Sequence, residues 1–194
     1  MKKYFIIILF LTIAGCSKQD SGELPFGNGS RYPHLTKTES NGLLVSWFEP
    51  VDSTIIGLFW SEFSNNEWLV KTLIYSSDHF FINWADFPSI FELNDSTLVS
   101  HWLEMSGKST YDYDVKVIHS TDRGKTWSEP ILPHRDGKHA EHGFVSFYKN
   151  ETHELEMVWL DGREMAGGHG HESAGDMNLY TTSFDRDFKQ RHDI

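Results

Sequence analysis

The chain has 194 residues, with 28 acidic side chains against 17 basic ones, a formal net charge of −11, and 14% aromatic residues that include seven Trp. That balance argues against a nucleic-acid partner and leaves no basic patch for a membrane surface, while the aromatic content suits strands and sugar-stacking surfaces. Cys16 is the only cysteine, so there is no disulfide framework and no thiol cluster, and the domain beyond it has to be held together by its core.

In chain order, Lys2 and Lys3 precede an apolar run from Tyr4 to Ala14. The run is too short to cross a bilayer, which takes about 20 residues in a helix, and its layout is that of a secretory signal. It closes on Ile13-Ala14-Gly15-Cys16, which resembles the bacterial lipobox. Residues 1–15 are therefore expected to be a lipoprotein signal peptide, with Cys16 as the lipidated first residue of the mature chain. The alternative is an ordinary signal peptide that contains a cysteine. Ser17 at the next position resembles lipoproteins sent to the outer membrane, so the expected location is exported and lipid-anchored, on the periplasmic or surface face. Residues 16–29 include Gly22, Pro25, Gly27 and Gly29 and read as a flexible tether.

From residue 30 onward a repeat emerges. Pro33, Pro88 and Val145 each stand 14 residues before a tryptophan, namely Trp47, Trp102 and Trp159. Each of these is followed by an apolar residue and an acid, as in Trp47-Phe48-Glu49, Trp102-Leu103-Glu104 and Trp159-Leu160-Asp161. Apolar alternation around these markers predicts three four-stranded units near residues 30–75, 84–133 and 141–194. The predicted strands are 32–38, 43–49, 57–61 and 68–75; then 87–93, 98–104, 113–120 and 128–132; then 143–148, 155–161, 177–182 and a weak last strand. Up-and-down units of this length are what β-propeller blades require.

The sharpest local signal is Ser120 to Trp127, STDRGKTW. Asp122 can accept N–H bonds across a tight turn, Gly124 can take positive φ, and Trp127 can fold back as a lid. The stretch resembles the Asp-box of the sialidase (neuraminidase) superfamily of BNR-repeat β-propellers, and the elements WADFPS, EHGF and VWLDGR resemble bacterial sialidase-like exo-alpha-sialidase lipoproteins. Ser61 to Trp68 and Thr181 to Phe188 have the same seven-residue interval and read as degenerate copies of the box. The resemblance implies an all-β, six-bladed propeller, of which residues 30–194 supply about three blades. The expectation is a fragment of a ring, with completion by a second copy as the alternative. The box residues Ser120, Asp122, Gly124 and Trp127 are expected to be structural and to lie away from any site.

In such blades the start of each first strand and the end of each second strand lie on one face. That places Arg31, Asp86, Glu141 and His142 beside Glu49, Glu104, Asp161 and Arg163, with Asp52 in a loop beyond. Arg31-Tyr32-Pro33 resembles the element that opens the first sialidase blade, which implies that Arg31 holds a substrate carboxylate. The resemblance further implies a general acid/base after the second strand, where Asp52 stands with Glu49 as competitor. The sialidase Tyr nucleophile, its Glu and the remaining arginines belong to later blades. A second chemistry open to these acids is two-carboxylate glycoside hydrolysis, with Asp86 and Glu141 as the catalytic pair. Glu49, Glu104, His142, Asp161 and Arg163 are then candidate substrate-binding groups. The plain alternative is that acids at strand ends cap backbone N–H groups. His169 and His171, with Asp161 or Glu141, are candidate metal ligands, but their spacing is no zinc signature and no cofactor is expected. The function expected is glycan processing, hydrolysis of sialic acid or a related sugar by a complete propeller. The rival reading is a non-catalytic propeller that binds glycan or protein at the cell surface.

Overall fold

The computed structural model describes residues 23–152, 154–165 and 175–193. The expected signal peptide, Cys16, and the candidate ligands His169 and His171 lie outside them. The described chain is all β apart from one 3-10 turn at Arg163–Met165.

Three antiparallel sheets follow one another along the chain. The first contains β1 (Arg31–Lys37), β2 (Leu43–Pro50), β3 (Ile56–Ser64), β4 (Glu67–Trp68) and β5 (Thr72–Ser77), with both β4 and β5 pairing to β3. The second contains β6 (Ser89–Glu92), β7 (Leu98–Met105) and β8 (Tyr113–Ser120). The third contains β9 (His142–Lys149), β10 (Leu155–Asp161), β11 (Asn178–Phe184) and β12 (Gln190–Asp193). Nine of the predicted strands thus fall where the alternation put them, give or take two residues at most ends.

The remaining strands differ for local reasons. The last strand of the first unit breaks into β4 and β5, while the last strand of the second shrinks to a bridge between Val117 and Ile131. Pro130 and Pro133 flank that bridge, and a proline cannot donate to a ladder.

Why the sheets stack is visible in β7. Successive side chains of a strand point to opposite faces. Leu98 and Trp102 pack toward the first sheet, in a core with Leu44, Phe48, Leu58, Trp60 and Ile74. Val99 and Leu103 pack the other way, in a core with Leu155, Met157, Trp159 and Phe184. Both faces of the middle sheet are therefore covered.

The recurring Trp-x-acid pattern has a direct cause, because residues two apart in a strand share a face. Trp47 Nε1 donates to Glu49 Oε2 at 3.1 Å, and Trp159 Nε1 donates to Asp161 Oδ2 at 2.8 Å. In the middle sheet Trp102 Nε1 is buried without a partner. There the indole stacks on Tyr75 at 4.5 Å, and Glu104 accepts from Ser77 Oγ instead.

Only one of the three turns between third and fourth strands is a full Asp-box. Asp122 Oδ1 accepts the Thr126 N–H at 2.8 Å, and Ser120 Oγ accepts the Gly124 N–H at 2.8 Å. Gly124 has φ of 78°, and a Cβ there would lie 2.3 Å from Trp60 Cζ2. The turn also bridges two sheets, since Arg123 makes a bidentate pair with Glu62 at 3.0 and 2.8 Å. The Ser61–Trp68 stretch is different in kind. β3 runs on to Ser64 and reverses over Asn65 and Asn66, whose φ values of 53° and 67° suit a two-residue hairpin turn. In the third sheet the Asp is Asp185, which accepts N–H bonds from Asp187 and Lys189, so the turn sits later than the Thr181–Phe188 interval suggests.

Gly124→Ala is expected to destabilise the protein by about 2–3 kcal/mol, because strain at positive φ adds to a clash with a core indole. Urea denaturation would check this. Asp122→Ala, which removes an exposed turn acceptor, is expected to shift the midpoint less.

Candidate functional site

The first strands of the outer sheets start with a kink. Tyr32 and Phe144 have φ of 56° and 53°, and each falls where the register with the neighbouring strand slips. The equivalent part of the middle unit leaves its sheet altogether. Phe80 bridges to Glu104 and Ser89 pairs with His101, so residues 82–88 form an excursion that carries Trp84 and Asp86. Tyr32 and Phe87 rings meet at 6.3 Å, and Asp86 Oδ2 accepts the Phe144 N–H at 2.7 Å. The openings of all three units thereby come together.

Asp86 is only 5% exposed. Burial pushes its carboxyl up to about 6; the Phe144 N–H opposes the shift and the nearby Glu141 adds to it. Glu141 in turn accepts the Tyr113 hydroxyl at 2.6 Å, and Tyr113 stacks on Phe81 at 3.9 Å. Gly143 makes the approach possible, since a Cβ there would fall 2.2 Å from Asp86 Oδ2. Around this pair the side chains of Trp84, Phe87 and Phe144 stand exposed, Trp84 at 78%. A carboxyl of raised proton affinity, a second carboxyl group and an aromatic rim are thus adjacent.

A second polar cluster lies at the end of β10. Arg163 makes a bidentate pair with Asp161, Nε to Oδ1 at 2.9 Å and Nη2 to Oδ2 at 2.7 Å, and its guanidinium lies over the Tyr180 ring at 3.8 Å. Asp161 is fully buried. Burial pushes its carboxyl up, but hydrogen bonds from Arg163 and Trp159 outweigh that and hold it below the usual range. Arg163 Nε also reaches Asp136 Oδ2 at 3.2 Å, and that oxygen is 2.9 Å from His142 Nε2. His142 is fully buried, and its ring stacks on His134 at 3.7 Å.

The other predicted residues make none of these contacts. Glu49 is tied to its own surroundings by Trp47, Ser30, the Gly27 N–H and Lys71. Burial opposes ionisation of Glu49, yet these donors hold it down at about 2. It thereby fastens the segment before β1 to the end of β2. Asp52 is exposed and accepts the Thr54 and Ile55 N–H groups at 2.7 and 2.8 Å, which lower its carboxyl. That geometry is turn closure by an ionised side chain, and it lacks the raised proton affinity a general acid needs. Glu104 accepts from Ser77 as described. Arg31 is exposed, its side chain makes no hydrogen bond or ion pair among the described residues, and it lines a shallow cleft with Phe26, Ser30, Pro33 and Trp47. Arg163, by contrast, is committed to Asp161 and Asp136.

Sequence reasoning therefore reaches Asp86, Glu141, His142, Asp161 and Arg163, which the fold brings into two neighbouring clusters. It misses Tyr113, Asp114, His134 and Asp136. The segment 134–142, HRDGKHAEH, is dense in imidazoles and acids, and that density is the one signal available in advance.

The sequence matches no protein-family model and no curated protein sequence. Solved structures do resemble it in fold. An α-L-arabinanase of Penicillium chrysogenum complexed with arabinobiose superposes with a TM-score of 0.54 at 14% identity, over 82% of this chain and 49% of that one. A GH93 α-L-arabinofuranosidase of Fusarium graminearum, also with arabinobiose, gives 0.53 at 15% identity, over 85% and 50%. A Hadza microbial sialidase gives 0.50 at 15% identity, over 82% and 35%. The chain spans about half the length of the first two. The fold is that of glycoside-hydrolase β-propellers, and the likeness does not single out the sialidases among them.

Arg163→Ala leaves two buried carboxylates without their cation and is expected to cost about 3–5 kcal/mol at pH 7. Because the Asp161 carboxyl is lowered in the fold, the stability it contributes is present above its unfolded pKa and is lost as pH falls. The gap between wild type and variant should therefore narrow below about pH 4. Denaturant titrations at pH 7 and at acid pH would measure both effects.

Proposed function

We propose that this chain forms part of the carbohydrate-processing face of a glycoside-hydrolase-type propeller, with Asp86 as proton donor and Glu141 as the second carboxylate. The observation that carries the reading is the raised carboxyl of Asp86, buried beside Glu141 beneath exposed aromatic side chains. A carboxyl with raised proton affinity beside a second carboxyl group is the arrangement that acid-assisted glycosidic cleavage uses. Trp84, Phe87 and Phe144 offer apolar faces on which a sugar ring can stack. The proteins that the fold resembles are named as arabinanase, arabinofuranosidase and sialidase, which is consistent with a glycan substrate.

Within that class we propose an anionic sugar such as sialic acid, on the strength of Arg31. Its exposed guanidinium can take a carboxylate through two parallel hydrogen bonds. We also propose attachment to the outer membrane through lipid on Cys16; incorporation of a fatty-acid analogue, absent in Cys16→Ser, would test that. A non-catalytic carbohydrate- or protein-binding role is the second reading. It is favoured by the burial of Asp86 and by the hydrogen bond that ties Glu141 to Tyr113.

The gene product is to be assayed on fluorogenic arabinosides, xylosides and sialosides. Asp86→Asn and Glu141→Gln are expected to abolish hydrolysis, and Arg31→Ala to weaken action on sialosides only. Inactivity with retained glycan binding would favour the second reading. Asp86→Asn carries a separate physical signature. A carboxyl raised from 3.8 to about 6 stabilises the fold below its unfolded pKa and loses that contribution as pH rises through 6. The Asn variant should match wild type near pH 4 and be more stable by about 2–3 kcal/mol above pH 7.

A further inference from the structure

His134 is only 2% exposed, and both of its ring nitrogens lack a hydrogen-bond partner. Asp114 Oδ1 stands 3.7 Å from His134 Nε2 and 3.8 Å from His142 Nδ1. These distances are too long for hydrogen bonds. They are close to the separation of two ligands that share one ion at about 2.0–2.2 Å each.

The far side of His142 makes the same point. Its Nε2 lies 2.9 Å from Asp136 Oδ2, the contact by which a metal-bound imidazole is usually oriented through its other nitrogen. With the proton on Nε2, the lone pair of Nδ1 faces the carbonyl oxygens of Ala140 and Tyr113, at 3.1 and 3.2 Å, together with Asp114 Oδ1. Four electron-rich atoms then face one another, and either a ring N–H or a bound cation at that point would relieve the repulsion. Arg163 is engaged with Asp161 and Asp136 and does not meet that need.

We propose that Asp114 Oδ1, His134 Nε2 and His142 Nδ1 bind a divalent transition metal ion of the zinc class. Two imidazoles and one carboxylate are the ligand set such ions favour, whereas calcium and magnesium prefer oxygen alone. The rings of His134 and His142 lie parallel, 5° apart, so sharing an ion makes them splay by a side-chain rotation. Asp114 belongs to β8, His142 to β9 and His134 to the connector between them. The ion would fasten the middle sheet to the third, independently of any catalytic role for Asp86.

The test uses untagged, purified chain and zinc itself. Elemental analysis after zinc loading and gel filtration is expected to find about one equivalent, with a raised melting temperature that EDTA reverses. His134→Gln and Asp114→Asn are expected to lower zinc affinity by at least about tenfold. His169→Ala with His171→Ala should leave it unchanged. In case the first two variants fold poorly, cobalt-loaded wild type gives an independent reading, a visible d–d band that zinc abolishes. The proposal is overturned by wild type that takes up no zinc and shows no cobalt band. It is equally overturned by zinc that survives both site variants or is lost with His169 and His171. None of these outcomes depends on hydrolytic activity.

Discussion

Everything else in this structure depends on two-sided burial of the middle sheet. An antiparallel sheet with apolar side chains on both faces must have both covered to keep them from water. Here β7 and β8 are covered on one face by Leu44, Leu58 and Trp60 and on the other by Leu155, Met157 and Phe184. Each face buries side chains that contribute about 1.5–3 kcal/mol apiece, and this offsets the ordering of the outer sheets. The loops at the strand ends are then held at fixed spacing. That rigidity allows Asp86, from one unit, to reach the backbone of Phe144, from the next.

The acidic side chains divide by what surrounds them. Glu49 and Asp161 accept indole N–H bonds and cations, and their charge is balanced inside the fold. Asp86 has a single backbone donor and is left with an elevated proton affinity. Buried acids near the strand ends therefore do opposite work. The deciding factor is a paired cation, Lys71 for Glu49 and Arg163 for Asp161, with the indole N–H as a second donor; Asp86 is buried without either.

Much of this was legible beforehand. The period of two and the 14-residue spacing to Trp47, Trp102 and Trp159 located the strands, because burial on alternating faces imprints itself on composition. The strand-end rule put Asp86, Glu141, His142, Asp161 and Arg163 on one face, and the fold brings them into two neighbouring clusters. Turns were less legible. Asn65-Asn66 closes a hairpin as well as an Asp-box does, and Asp185 shifts its turn along the chain, so equal spacing of Ser and aromatic residues did not mean equal geometry. Asp136 and His134 sit on a connector without periodicity, and only the fold brings them to His142. Nor could spacing reveal that Asp52 spends its carboxylate on its own turn or that Arg163 is already paired.

The three fully buried tryptophans differ in one respect that has a spectroscopic meaning. Trp47 and Trp159 have their indole N–H against a carboxylate, whereas that of Trp102 faces apolar neighbours and the Tyr75 ring. A nearby negative charge shifts indole emission, and a caged N–H exchanges with deuterium only when its surroundings open. The Trp102 indole thus carries a different electrostatic label from Trp47 and Trp159. Deuterium exchange at its N–H would report opening of the core between the first and middle sheets.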